Sequence, residues 1–318
     1  PVARPTHHDE LISAIPQTDD TTPLAAQVAE DARRKIALRG VRYGKPGHTR
    51  VLTVSNQKGG GGKTTTAVNL AAALASGGLR VLLIDNDPQG NASTAVGIEH
   101  HSGTPSVYDA LVNDVPLADV IQPCPDIDNL HCAPATIDLS GAEIELVSLV
   151  ARENRLRLAI DAMVSEPGHE PYDYVIIDCP PSLGLLTINA FVAASEVLIP
   201  IQCEYYALEG LSQLLKNVEL IRAHLNEKLH VSTILLTMYD KRTNLSRQVA
   251  EEVRQYFPQQ TLQTTIPRLV RISEAPSFGQ TIITYDPTST GALAYRMAAR
   301  EIADRGAAAA DREEQTHG

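Results

Sequence analysis

Between Asn56 and Thr65 the chain reads Asn-Gln-Lys-Gly-Gly-Gly-Gly-Lys-Thr-Thr, four consecutive glycines set between two lysines. Glycines allow backbone N–H groups to converge on phosphate oxygens without Cβ obstruction, and a helix beginning at the threonines adds partial positive charge. Lys63 can reach the β- and γ-phosphates of a nucleotide, and Thr64 can ligate Mg²⁺. A flexible glycine turn is the bland alternative, but the flanks argue against it: an apolar run, Val51 to Ser55, precedes the loop and a helical pattern, Thr64 to Ser76, follows. The nucleotide-binding candidates are therefore Gly59, Gly60, Gly61, Gly62, Lys63, Thr64 and Thr65.

Carboxylates recur where such a loop needs them. An apolar run ends in Asp85-Asn86-Asp87-Pro88-Gln89-Gly90-Asn91, and a second, Tyr174 to Ile177, ends in Asp178. A buried strand closing on one aspartate fixes an acid near a metal and its water shell, so Asp178 is expected to orient Mg²⁺ through water. Asp85 and Asp87, two residues apart, share one side of an extended strand unless the turn at Pro88 re-aims the second. A turn or helix-capping role is the competing reading for both.

These residues need a scaffold that brings strand ends together. Short Val/Ile-rich runs at Val51–Ser55, Val81–Asp85, Tyr174–Asp178, Val197–Ile201 and Thr233–Thr237 alternate with helical patterns at Thr64–Ser76, Ser106–Val112, Ala142–Met163, Leu208–Leu225, Leu245–Tyr256 and Ala292–Asp304. Continuous apolar strands are buried on both faces, which predicts a doubly wound α/β fold, a mostly parallel sheet with helices on both sides. Residues 1–47 read as a flexible arm in which Leu24, Val28, Ala32 and Ile36 form one amphipathic helix or a frayed, partly helical stretch. Residues 48–305 read as the compact domain and 306–318 as a disordered tail.

Composition narrows the function classes. At 318 residues, 43% hydrophobic and 20% charged, the chain is globular. No run of about 18 uncharged apolar residues occurs and the first residues lack the apolar core of a secretory signal, so the cytoplasm is expected and no membrane partner. Cys124, Cys132, Cys179 and Cys203 lack metal or disulfide spacing, and no metal is assigned to His7 and His8 or to His100 and His101. The net charge of −11 argues against nucleic acid, yet residues 211–300 hold 11 Lys and Arg against 7 Asp and Glu. Tyr205 and Tyr206 read as structural, because only 4% of the chain is aromatic.

The loop departs from G-x-x-x-x-G-K-[ST], having Gln57 where the first glycine would fall and an added lysine, Lys58. In this it resembles the deviant KGGxGKT loop of partition and cell-division ATPases. Together with Asp85–Thr94, Asp178–Asn189, Pro200–Gly210 (PIQCEYYALEG), Leu236–Leu245 (LTMYDKRTNL) and Ile266–Gly279 (IPRLVRISEAPSFG), it is similar to the ParA/Soj family of chromosome-partition ATPases over roughly Arg50 to Ala303. The resemblance implies a P-loop fold of the deviant type with ATP and Mg²⁺ as cofactors, and a slow ATPase whose catalytic residues are Lys58, Lys63 and Asp87. Lys58 would reach the phosphates of a second subunit. Asp87 would position the attacking water and touch the metal through water, beside the metal residues Thr64 and Asp178, with Asp85 in support. Pro267 and Arg268 would border the adenine.

The implied partners are a second copy in an ATP-dependent homodimer, double-stranded DNA bound without sequence preference, and a ParB-type centromere-binding protein. A polar scaffold protein is a further candidate, and the implied location is the nucleoid. Arg242 and Arg271 match the family's DNA-contacting arginines, with Lys241, Arg247 and Arg268 as contributors. Each also reads as an ordinary surface ion-pair residue. A dethiobiotin-synthetase-like ligase and a membrane-cycling MinD-like ATPase share the loop but lack the EYYALEG and SEAPSFG stretches. Iron–sulfur chemistry is disfavoured by the cysteine placement. Gly61 stands where the family more often has a residue such as Val, giving the unliganded loop more backbone entropy to lose. Gly61→Val is therefore expected to bind ATP more tightly in a direct affinity measurement; unchanged or weaker binding contradicts this reading of the glycine run.

Overall fold

The computed structural model describes residues 23–38, 40–58, 60, 62–168, 170–205 and 207–317. Gly59, Gly61, Tyr206, His7 and His8, and the first 22 residues of the expected arm lie outside the described residues. Among the described residues the strands are β1 (Arg50–Val54), β2 (Val81–Asp85), β3 (Gln122–Pro123), β4 (Leu130–Ala133), β5 (Tyr174–Asp178), β6 (Glu196–Gln202), β7 (His230–Tyr239) and β8 (Thr261–Pro267). The helices are α1 (Pro23–Leu38), α2 (Lys63–Ser76), α3 (Asn91–Ala95), α4 (Val107–Val112), α5 (Leu117–Val120), α6 (Leu139–Leu146), α7 (Arg155–Val164), α8 (Leu185–Ala193), α9 (Ala207–His224), α10 (Asn244–Tyr256), α11 (Val270–Glu274), α12 (Ile282–Tyr285) and α13 (Thr290–His317).

The strands form one sheet in the order β3-β4-β2-β5-β1-β6-β7-β8. Every neighbouring pair is parallel except β3 with β4. Alternate side chains leave opposite faces of a strand, so the apolar runs supply two cores at once. Val81, Leu83, Tyr174 and Ile176 pack beneath α2 and α13. Leu82, Ile84, Val175 and Ile177 pack against α4 to α8, and Val197, Ile199 and Ile201 extend that second layer under α9 and α10. The fold is thus doubly wound α/β, as the continuous apolar strands require.

Register does the positioning. Val54 of β1 is level with Asp178 of β5, and Asp178 is level with Asp85 of β2. The phosphate loop and both carboxylates therefore emerge side by side at the carboxyl edge of three adjacent central strands, where open α/β sheets hold ligands.

Several elements differ from expectation. The helical pattern at Ala142–Met163 is broken into α6 and α7 by a turn in which Ala151 takes a left-handed conformation, φ 54°. Asn189 of α8 holds that break, accepting from Leu156 N at 3.2 Å and donating to Arg152 O at 2.8 Å. Strands β4 and β8 were not expected. β4 is only LHCA, and β8, TLQTTIP, is polar because it forms the sheet edge. The helix α1 is tied to α13 by Thr290 Oγ1 donating to Asp31 and Arg300 donating to Ala37 O. The segment that follows is pinned by Tyr43, whose hydroxyl donates to Arg296 O. The last helix runs on to His317 rather than ending at Asp304, because its Ala307–Ala310 run has high helix propensity. The small residues Gly44 and Gly47 let the chain lie against it, and a Cβ at Gly44 would stand 2.8 Å from that of Ala307.

At the opposite, amino edge of the sheet Arg50 and Glu196 form a mostly buried two-pronged ion pair at 2.7 and 2.5 Å. Arg50 also donates to the Tyr174 hydroxyl and to Ile302 O, each at 3.0 Å, tying β1, β5, β6 and α13 together. Burial pushes the Glu196 carboxyl up, but the Arg50 bonds outweigh it and hold the group below its ordinary value. Its contribution is therefore complete above the unfolded-state pKa near 4.3 and is lost as pH falls through the lower folded value. Glu196→Ala strands the guanidinium and is expected to cost about 2–4 kcal/mol in denaturant unfolding at pH 7, with the difference from wild type shrinking below about pH 4. A loss under 0.5 kcal/mol would contradict the role given to the pair.

Candidate active site

The loop between β1 and α2 takes a shape that only glycine adopts readily. Gly60 and Gly62 have φ of 70° and 77°, in the left-handed region, and Gly62 caps α2 with its carbonyl accepting from Thr66 N at 2.9 Å. The N–H groups of Lys63, Thr64 and Thr65 precede the first intrahelical bond, so they are free of helix partners and face the loop with the positive end of the helix dipole behind them. Contacts with β6 brace the loop. Gln202 Nε2 donates to Gly60 O at 2.7 Å, and Asn56 Nδ2 donates to Pro200 O at 2.7 Å while its Oδ1 accepts from Lys58 N at 3.0 Å.

Lys63 is buried at the start of α2. Burial draws its ammonium pKa down, opposed by the charges of Asp178 and Asp87 and by Cys179. Asp178 is fully buried, and among the described residues neither of its oxygens has a well-formed hydrogen bond, the Thr64 hydroxyl lying beside it. Burial raises its pKa well above the ordinary value, Asp85 and Asp87 add to the rise, and Thr64 and Lys63 pull the other way. An orphaned buried carboxylate beside a helix-start threonine is the donor set a Mg²⁺ ion with its water shell would use. Among the described residues no cluster of three His, Cys, Asp or Glu side chains could hold a metal unaided. The site therefore fits a cation that arrives with phosphate oxygens.

The two earlier aspartates have separated roles. Asp85 is satisfied: its Oδ2 accepts from Ser93 N at 2.8 Å and Ser93 Oγ at 2.6 Å, and its Oδ1 from Asp87 N at 3.3 Å. Burial raises it to about 6 despite the Ser93 donors. It anchors the turn from β2 into α3, a structural support, and Ser93 is the partner that sequence reasoning did not single out. Asp87 instead lines a cleft of about 350 Å³ together with Gly60, Lys63, Thr64, Gln89 and Pro181. Its Oδ1 accepts from Gln89 N at 3.0 Å, which fixes the carboxyl in the cleft wall. Cys179 follows Asp178 and shares a 3.0 Å hydrogen bond with Thr53; burial pushes its thiol up to about 12, so it stays an inert packing group.

The remaining expected residues fall outside this cleft. Lys58 Nζ pairs with Glu204 at 3.2 Å, half-exposed on the outer side of the loop. Pro267 and Arg268 stand at the end of β8, three strands from β1, or roughly 14 Å across the sheet. Lys241 and Arg242 follow β7, Arg247 lies in the first turn of α10, and Arg271 lies in α11. All four are exposed, at the same carboxyl edge of the sheet as the phosphate loop but toward its β8 side. Arg268 joins them through its N–H to Tyr239 O at 3.4 Å.

Comparison with known proteins agrees with this geometry. The AAA domain family matches residues 49–231. The sporulation initiation inhibitor protein Soj of Bacillus subtilis is 55% identical over 257 residues, 81% of this chain and 99% of that protein. The chromosome partitioning protein ParA of Myxococcus xanthus is 53% identical over 256 residues, 80% of this chain and 88% of that protein. Among solved structures, cobyrinic acid a,c-diamide synthase from Mycobacterium smegmatis, with a bound ATP analog and magnesium, superposes with a TM-score of 0.66 at 38% identity, covering 79% of this chain and 93% of that one. A deviant phosphate loop level with two buried aspartates, and identity above one half across nearly the full length of Soj, lead to one assignment: the chain belongs to the ParA/Soj family of chromosome-partitioning ATPases.

Proposed function

We propose that this protein is a nucleotide-gated DNA clamp for chromosome or plasmid partition, in which ATP joins two copies and the pair binds duplex DNA through its backbone. The observation that carries the reading is the placement of Lys241, Arg242, Arg247 and Arg271 as exposed cations at the same sheet edge as the phosphate loop. The bound ATP analog and magnesium of the M. smegmatis relative support Mg·ATP as the ligand. Lys63 and the N–H groups of the first turn of α2 would hold the β- and γ-phosphates. Thr64 and Asp178 would hold the Mg²⁺, which supplies charge neutralisation on the phosphate oxygens.

Asp87, in the cleft lining, would orient water in line with the γ-phosphate. Lys58 of the partner subunit would complete the charge, after exchanging its present Glu204 for a phosphate oxygen. Pro267 and Arg268 would contact the adenine only if the nucleotide extends toward β8. Hydrolysis stimulated by a ParB-type protein would release the DNA, giving a nucleoid-associated protein; among the described residues no helix is long and apolar enough to cross a membrane.

A ligase reading draws on the name of the M. smegmatis relative, an amide-forming synthase at 38% identity. It requires phosphate release stimulated by a carboxylate or amine substrate and indifferent to DNA.

DNA retention measured with ADP, ATP and a non-hydrolysable analogue, with dimerisation followed in parallel, separates the readings. Retention is expected only with the triphosphates and only when dimers form. Two arginines from each of two subunits should contribute about −3.6 to the slope of log affinity against log salt. Arg242→Glu combined with Arg271→Glu should abolish retention and leave ATP-driven dimerisation intact, whereas Asp87→Ala should keep both binding steps and lose turnover. Equal retention by the nucleotide-free chain would overturn the proposal.

A further inference from the structure

Both arginines that match DNA-contacting positions already hold a carboxylate of their own chain. Arg242 donates from Nε and Nη2 to the two oxygens of Asp240 at 2.9 and 2.8 Å. Its side chain is 84% exposed, whereas that of Asp240 is only 24% exposed. Arg271 donates from Nη1 to Asp286 Oδ2 with the same asymmetry, 65% against 18%. In each pair a long, solvent-facing cation is folded back onto an acid fixed by its own loop. Asp240 Oδ1 also accepts the Arg242 N–H at 3.0 Å, and Asp286 ends α12 with its carbonyl accepting from Ser289 Oγ at 2.8 Å. The Arg242 hydrogen bonds, with Arg268 nearby, hold the Asp240 carboxyl down to about 2, so it is ionised throughout the physiological range.

The geometry of the Arg242 pair is that of a phosphate contact. A guanidinium recognises carboxylate and phosphate through the same two-donor edge, so Asp240 and a DNA phosphate cannot both occupy Nε and Nη2. Exposed pairs of this kind are weak enough to exchange, yet each exchange returns less than an unoccupied arginine would. That loss weighs most on a lone subunit, which offers only two such arginines; a dimer engages four at once and multiplies their contributions.

We propose that Asp240 and Asp286 are intrachain stand-ins for DNA phosphates, occupying Arg242 and Arg271 so that DNA binding waits for the dimer. The proposal rests on the DNA-binding reading above. It makes the two aspartates negative determinants of DNA affinity and sharpens the dependence of retention on nucleotide state.

The test is DNA retention by the full chain with a non-hydrolysable ATP analogue and with ADP, for wild type, Asp240→Asn, Asp286→Asn and the double variant. Asparagine keeps an acceptor for the Arg242 N–H, so the loop is preserved. Each single variant should bind DNA about tenfold more tightly as a dimer, about threefold for each of two released arginines, and the double variant should show retention with ADP that wild type lacks. In an Arg242→Ala background Asp240→Asn should give no gain. Unchanged affinity in the variants, or an equal gain without Arg242, overturns the proposal, the latter by assigning the effect to net charge alone. Failure of wild type to retain DNA with the analogue would instead overturn the DNA-binding reading itself, and this proposal with it.

Discussion

A buried carboxylate without a well-formed hydrogen bond from the protein stands at the centre of this molecule, and the rest of the site is arranged around its cost. Asp178 closes a strand whose five residues are all buried, and among the described residues its oxygens have no well-formed hydrogen bond beyond the nearby Thr64 hydroxyl. An ionised carboxylate in such surroundings is stable only with a nearby positive charge. Lys63 is the protein's part of that charge, itself held partly against burial by Asp178 and Asp87. The balance is left for a divalent cation and the phosphates it accompanies. Asp85, one strand away at the same level, lacks this demand because Ser93 and the Asp87 N–H satisfy it. Two aspartates at matching strand ends thus differ through their hydrogen bonds alone, one satisfied by the turn and one left to seek a cation.

Much of this was legible in the residues themselves. Gly60, Gly62 and Lys63 could be placed between a strand and a helix because apolar periodicity changes there from a continuous run to a helical repeat. Asp178 could be placed at a strand end because four apolar or aromatic residues lead into it. The difference between Asp85 and Asp87 came from the family resemblance and not from the residues themselves, since it depends on Ser93 folding back eight positions later. Nor was the break between α6 and α7 legible, since it is held by Asn189 from a different helix, a tertiary contact that local propensity cannot register. The edge strand β8 escaped for a related reason: with solvent on one side, its TLQTTIP sequence has no apolar run to detect. The docking of α1 on α13 likewise depends on partners, Thr290 and Arg300, more than 250 residues away.

The acidic average of the chain conceals a division of charge along the sequence. The net charge is −11, yet Lys241, Arg242, Arg247, Arg268 and Arg271 lie at or just beyond the ends of β7 and β8. Because a parallel sheet sends all its carboxyl ends to one edge, those cations share that edge with the phosphate loop. Nucleotide chemistry and the basic patch are therefore coupled by topology, with the strand order setting their separation.

The reading of the phosphate site depends on Asp178 being the group that requires a cation. The most direct measurement is ATP affinity by calorimetry as a function of Mg²⁺, in wild type and in Asp178→Asn. The account predicts that Mg²⁺ strengthens ATP binding in the wild type and that this dependence is largely lost in the variant, with metal-free ATP binding retained through Lys63 and the loop. An Asp178→Asn protein whose ATP affinity responds to Mg²⁺ as the wild type does would contradict it.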